Sequence, residues 1–522
     1  MLRFTAVPPR VPALMGRVRL ALKSDLAAEQ TVAEALDQTT TSTLRPRPAK
    51  SNNQGQASTP IREALEPYKD LKRQSKVNGC LELVDVREIM SIYRKFRESS
   101  EEPIPASDVV HAILSTLRLR MVVLRPLIST KRHNVVNEQN PELKGYLEEI
   151  VEDILAGKAY LSTFALTYLL TAFGTLNCHA EATKVWRQLS EQDQLPAGLS
   201  SRVKDPKVVG SFIRFADPQS VSLDEIELTY EDTVRSRGHH VLLDDALATS
   251  YLRYGESVKA AELYAHMCRN YPVKKWEETF SRLHNRILTE SQDAELSAAF
   301  FESAVSDESR IRLHPSSVSK YLEQVATATS DPMQIVNIYR QAVERFSTKA
   351  NHVAPVQFQI LTSTAVRFLL DMYKTDSAEA RETLGKLLPL DSSPVVALNT
   401  LLSFMSKRWP TSTYIEDLMA AISRQGPLRV DSIRVFLNAS QHLASTPLAA
   451  IEDLWTQRKA HIEHIDKFDL LALAQACNQP DRAEFFKKEL SAARDAGASQ
   501  ETLKFVESRI GRCEHVAAVM ST

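Results

Sequence analysis

The sequence predicts an all-α protein, an α-α hairpin superhelical solenoid, on three observations. Apolar residues recur at helical spacing over most of the chain from residue 162 onward. Glycine is scarce, 14 in 522 residues, so strands and glycine-based turns should be few. A hairpin pattern over residues 162–196 recurs at 242–267 and again, in degenerate form, every 33 to 45 residues or so. A chain this long exceeds one compact core but suits stacked repeats.

Residues 1–45 read as a mitochondrial targeting presequence and leader. Arg3, Arg10, Arg17, Arg19 and Lys23 precede the first acidic residue, Asp25. Acid-free, Arg-rich leaders of this kind suit import across a membrane that is negative inside. The full chain carries 64 basic and 65 acidic residues; removing those five leaves 59 against 65, about six units negative. Residues 46–60 lack apolar periodicity and read as a linker. Residues 61–160 form an N-terminal helical region, with Val84, Val86, Ile89, Met90, Ile92 and Tyr93 marking one helix. A second helix spans residues 106–124.

The clearest hairpin runs from Ser162 to Pro196. Leu166, Leu169, Leu170, Phe173 and Leu176 stripe its first helix, and Ala182, Val185, Trp186 and Leu189 its second. Asn177 sits at the corner, where a left-handed residue is favoured. Neither helix can bury its stripe alone, so the hairpin needs neighbours on both sides. The copy at 242–267 places Gly255 at the corner. In both copies Ala follows the corner at +5 (Ala182, Ala260), an aromatic at +9 (Trp186, Tyr264) and a long apolar residue at +12 (Leu189, Met267).

These offsets resemble the pentatricopeptide repeat, in particular the degenerate repeats of fungal-type mitochondrial members; the tetratricopeptide hairpin shares much of the pattern. Further units begin near Val208, Thr279, Ser317, Thr362, Ala397, Ser432 and Ile465, giving about nine repeats over residues 161–500. Residues 501–522 are expected to form a capping helix and tail. Many of the prolines lie near unit borders, where a missing N–H costs little.

No chemistry-bearing constellation emerges. Neither Gly-rich phosphate-loop pattern occurs. The five cysteines are scattered without a C-x-x-C pair, which argues against a zinc or disulfide framework. His461 and His464 have no third ligand at useful spacing, and His239 and His240 sit in a short inter-helix link. Cys513, Glu514 and His515 lack a positioned base. There is no apolar run of 18 residues, so no membrane-spanning helix is expected. The reading is non-enzymatic, with no cofactor and no metal.

Binding remains. Arg118, Arg120, Arg125, Lys131 and Arg132 occupy a stretch without acidic residues, a local footprint for phosphates. The family resemblance implies base readout early in the first helix and at the end of the repeat, at Thr167 with Ala197 and at Asp245 with Lys275. Ala197 has no side-chain hydrogen-bonding group, so the two-residue code is incomplete in the best copy. In degenerate units the corresponding positions are Arg282 and Lys320, which suit phosphates. Aromatic residues lie mostly on the stripes and read as core.

The resemblance implies a non-catalytic binder of single-stranded mitochondrial RNA in the matrix, in solution or peripheral to the inner membrane, supporting transcript stability, processing or translation. A protein-binding scaffold, associated with the mitochondrial ribosome or an assembly complex, remains the alternative partner class. Fusing residues 1–45 to a reporter should direct it into mitochondria. Cytosolic retention of that fusion would refute the presequence reading.

Overall fold

The computed structural model describes residues 86–115, 133–191, 199–306, 309–441, 446–460, 465–496, 498–511 and 513–521, with 61, 63–65, 117 and 443 besides. Arg118, Arg120, Arg125, Lys131, Arg132, Ala197 and the His461–His464 pair lie outside the described residues. Among the described residues the chain is helical throughout, apart from one parallel bridge pairing Ile104–Pro105 with Ala159–Tyr160. It divides into two compact units, residues 1–296 and 297–522.

The first unit opens with α1 (Val86–Ser99) and α2 (His133–Leu155). Tyr93 on α1 is fully buried and donates to Asp153 on α2 at 2.8 Å, while Arg97 reaches both Asp153 and Glu149 at 2.9 Å. There follow α3 (Thr163–Thr175), α4 (His179–Glu191), the short α5 (Leu199–Val203), α6 (Pro206–Phe215), α7 (Leu223–Arg237), α8 (Val241–Arg253), α9 (Ser257–Asn270) and α10 (Glu277–Glu290). The first helices of successive hairpins, α3, α6, α8 and α10, stack in order as one layer. Each second helix seats between its own first helix and the next: α4 on α3 and α6, α7 on α6 and α8, α9 on α8 and α10.

Sequence accounts for these elements. The stripe residues Leu166, Leu169, Leu170 and Phe173 are buried, as are Val185, Trp186 and Leu189. The Trp186 ring stacks on Phe212 of the following hairpin at 4.7 Å, so the stripe is completed by its neighbour. Asn177 turns the corner at φ 59° and Gly255 at φ 81°, both left-handed. Ser162, Asp205 and Ser222 cap α3, α6 and α7 through their side chains. A Cβ at Gly210 would lie 3.0 Å from the Leu242 carbonyl oxygen, so glycine there sets the close approach of α6 to α8.

Helix α11 (Ala294–Val305) carries the division between the units. The second unit continues with α12 (Pro315–Ala328), α13 (Pro332–Ser347), α14 (Gln359–Tyr373), α15 (Ala378–Leu387), α16 (Val395–Arg408), α17 (Tyr414–Arg424), α18 (Val430–Ser440), α19 (Leu448–Ala460), α20 (Lys467–Ala476), α21 (Ala483–Asp495), α22 (Gln500–Ile510) and α23 (Glu514–Ser521). Its first helices α12, α14, α16, α18, α20 and α22 again stack in order. The chain turns between Ile510 and Glu514, and α23 packs on α21.

Polar bonds register one first helix on the next. Ser319 and Thr364 share a hydrogen bond of 2.7 Å, and Asn399 donates to Ser432 at 2.9 Å. The strongest link centres on Asp469. It receives Arg458 in a bidentate pair at 2.7 and 2.8 Å and Arg434 at 2.8 Å, and it also closes the capping box of α20 with Asp466. Burial alone would raise the Asp469 carboxyl, but the two guanidinium groups hold it below its ordinary value.

Two outcomes test this packing. Trp186→Ala should cost about 3–5 kcal/mol in denaturant unfolding, since the cavity lies between two hairpins. Asp469→Ala should cost about 3–5 kcal/mol by stranding Arg458 in the core. The carboxylate's contribution to wild-type stability should be present above about pH 4 and vanish as pH falls through its lowered folded value. Unchanged stability in either variant would contradict the stacked arrangement.

Candidate nucleic-acid interface

The side chains left unburied at the starts of the first helices are unusual for solvent-facing positions. Phe164, the second residue of α3, is 59% exposed. Lys207, the second residue of α6, holds its ammonium 4.7 Å from the Phe164 ring centre. In the second unit Ile360 and Phe468, the second residues of α14 and α20, are 61% and 50% exposed. Phe468 meets the edge of Phe505 at 5.9 Å, and Lys467 and Arg509 approach the Phe505 ring at 5.1 and 5.0 Å. Phe164, Lys207, Ile360 and Phe468 each precede the buried stripe of their helix, so core packing does not account for them. An aromatic face beside a mobile cation is the arrangement that stacks a nucleobase and neutralises its phosphate.

One turn deeper the layer becomes hydrogen-bonded. Thr167 donates to the Thr163 carbonyl at 3.1 Å, and Thr171 and Thr175 repeat that bond along the same half-buried face of α3. Thr167 thus keeps its lone pairs available as acceptors. Asp245 on α8 is buried and flanked by Arg214 of α6 and Arg282 of α10, the latter at 2.8 Å. One carboxylate therefore ties three consecutive first helices. Burial pulls the Arg214 guanidinium down from its usual value, against the upward pull of Asp245. Arg253 adds bonds to the carbonyls of Ala216 and Arg214, fixing the end of α8 to the end of α6.

The sequence-derived positions are thus distributed unevenly. Thr167 is half-buried; Asp245 is withdrawn from solvent and partnered with Arg282; Lys320 is exposed on α12. Arg214, Lys207, Phe164 and Phe468 were not among the sequence-derived positions. For Lys207, Phe164 and Phe468 the available signal was an aromatic or basic residue just ahead of the apolar stripe, out of phase with it; Arg214 follows its stripe and carries no such signal. Cys513, by contrast, is buried, and burial pushes its thiol up, the opposite of what a nucleophile requires.

Residues 33–201 match the family described as the RMD9 N-terminal domain, and residues 223–426 that described as the RMD9 middle domain. The "RNA-binding protein RMD9, mitochondrial" of Saccharomyces cerevisiae is 23% identical over 421 residues, covering 78% of this chain and 62% of the relative. Its counterpart in Kluyveromyces lactis is 24% identical over 369 residues, covering 67% of this chain and 53% of the relative. This chain therefore spans less than two thirds of the length of these relatives. Among solved structures, yeast Rmd9p in complex with a 16-nucleotide target RNA superposes with a TM-score of 0.61 at 20% identity, covering 88% of this chain and 96% of that one. That likeness establishes the stacked-hairpin fold.

Proposed function

The chain belongs to the RMD9 family, and on that premise we propose that it is a non-catalytic, single-stranded-RNA-binding repeat protein of the mitochondrion. It acts by occupancy. The RNA lies along the first-helix layer of each unit, its bases against exposed residues such as Phe164 and Phe468 and its phosphates met by Lys207, Arg214, Arg282, Lys320 and Lys467. Coverage of this kind shields a transcript in the matrix from nucleases and from self-pairing, and so supports its stability, processing or translation.

The observation that carries this reading is the exposed Phe164 with Lys207 poised over its ring, at the same helical register on adjacent first helices. The relatives named for RNA binding and the Rmd9p complex support it. Within the proposal, Thr167 contacts a base edge through its free lone pairs. Asp245 aims the Arg214 and Arg282 guanidinium groups and touches no base. The basic run Arg118, Arg120, Arg125, Lys131 and Arg132 supplies further phosphate contacts without sequence preference.

Single-stranded RNA binding by the purified chain, measured over a salt series, tests the proposal. Phe164→Ala should weaken binding by about 1–3 kcal/mol for the loss of one stacked base. Replacing the five basic residues of the 118–132 run by Gln should flatten the salt dependence by roughly 0.7 per phosphate contact removed, equally for all sequences. A chain that binds no RNA at low salt, yet co-purifies in fixed ratio with another protein, would instead be a protein scaffold.

A further inference from the structure

Around the link between α7 and α8, two neighbouring groups meet a third from the following helix. His239 lies in that link, Asp244 in the first turn of α8, and His266 in the last turns of α9. One ligand atom from each lies within 4.8 Å of the other two. His239 Nδ1 is 3.5 Å from Asp244 Oδ1, and the two imidazole rings are 5.3 Å apart.

We propose that His239, Asp244 and His266 form a binding site for a divalent transition-metal ion of the zinc class. Two imidazoles and one carboxylate are a donor set suited to zinc, with the fourth position left to water. The charge balance favours a cation. Asp244 is fully buried, yet among the described residues its ion-pair partner is an imidazole and not a lysine or arginine. A buried carboxylate in that position needs a positive charge close by.

The surrounding groups are those that orient metal ligands. Tyr230 donates to Asp244 Oδ1 at 2.9 Å and Tyr271 to Oδ2 at 2.7 Å, fixing the carboxylate from both sides. His239 is half-exposed, which leaves a path for the ion to enter. An ion bound here would clamp the end of α7, the start of α8 and the end of α9, three elements otherwise joined at this point by tyrosine hydroxyls. It would thereby also steady Asp245, the next residue along α8.

The purified chain, stripped with a chelator and then titrated with Zn²⁺ or Co²⁺, tests the site. Zinc should bind with one high-affinity equivalent and raise the melting temperature. Cobalt should give the visible absorption of a tetrahedral nitrogen–oxygen site. His239→Ala and His266→Ala should abolish the absorption and the thermal shift, while the exposed His515→Ala should leave both intact. Tyr271→Phe, which keeps the ligands but loosens the carboxylate, should weaken binding on the order of tenfold. Absence of any shift or absorption in the wild-type chain, or their survival in His239→Ala, would overturn the assignment.

Discussion

A two-helix hairpin with one apolar stripe per helix has no interior of its own, and that constraint organises this structure. Each stripe is finished by the next hairpin: Trp186 by Phe212 in the first unit, Phe301 by Tyr321 in the second. Stability is therefore a matter of nearest neighbours, and the sequence of any repeat is free to degenerate provided the contact surface on each side survives. The hydrophobic term sets no register along the helix axes. That role falls to short polar bonds between first helices, such as Ser250 to the Ile213 carbonyl and Asn399 to Ser432.

The same division of labour explains where a ligand-binding surface can arise. Side chains within the stripe are committed to packing, and those in the middle of the first helices to register. The second residue of the helix is relieved of both duties in α3, α14 and α20. It precedes the stripe and is anchored by its cap, Ser162 in α3 and Asp466 in α20, so an aromatic residue there is held in position while its face remains open. Electrostatics follow the same geometry. The chain as a whole is close to neutral, yet Lys207, Arg214 and Arg282 gather along one layer in the first unit, with Asp245 beneath them holding two of the three.

Much of the fold was legible in the residues themselves, because helical periodicity and corner residues are local signals. Asn177 and Gly255 identify their turns by what a left-handed backbone tolerates, and the offsets to Ala260, Tyr264 and Met267 fall on buried positions. The interface was less legible. Asp245 occupies a position from which the resemblance implies base contact, but the arginines that cover it come from helices 31 residues before it and 37 after it, and no local pattern announces that pairing. His239, passed over as part of a short link, acquires meaning only when the fold carries His266 from the far end of α9 to its side. Properties written within one turn of helix can be read from sequence; those assembled between helices require the register.

Asp469 illustrates what such register costs in freedom. Its carboxylate caps its own helix, neutralises Arg458 in the core and holds Arg434 on the adjoining helix. Three tasks resting on two oxygens make these residues a single unit of inheritance: substituting any one changes the value of the other two, so their effects do not add. Drift can pass through this junction by concerted replacement alone, whereas the open first-turn residues, Ile360 among them, can be exchanged one at a time. A lineage of such proteins can thus retune what its surface recognises while its helix junctions stand still.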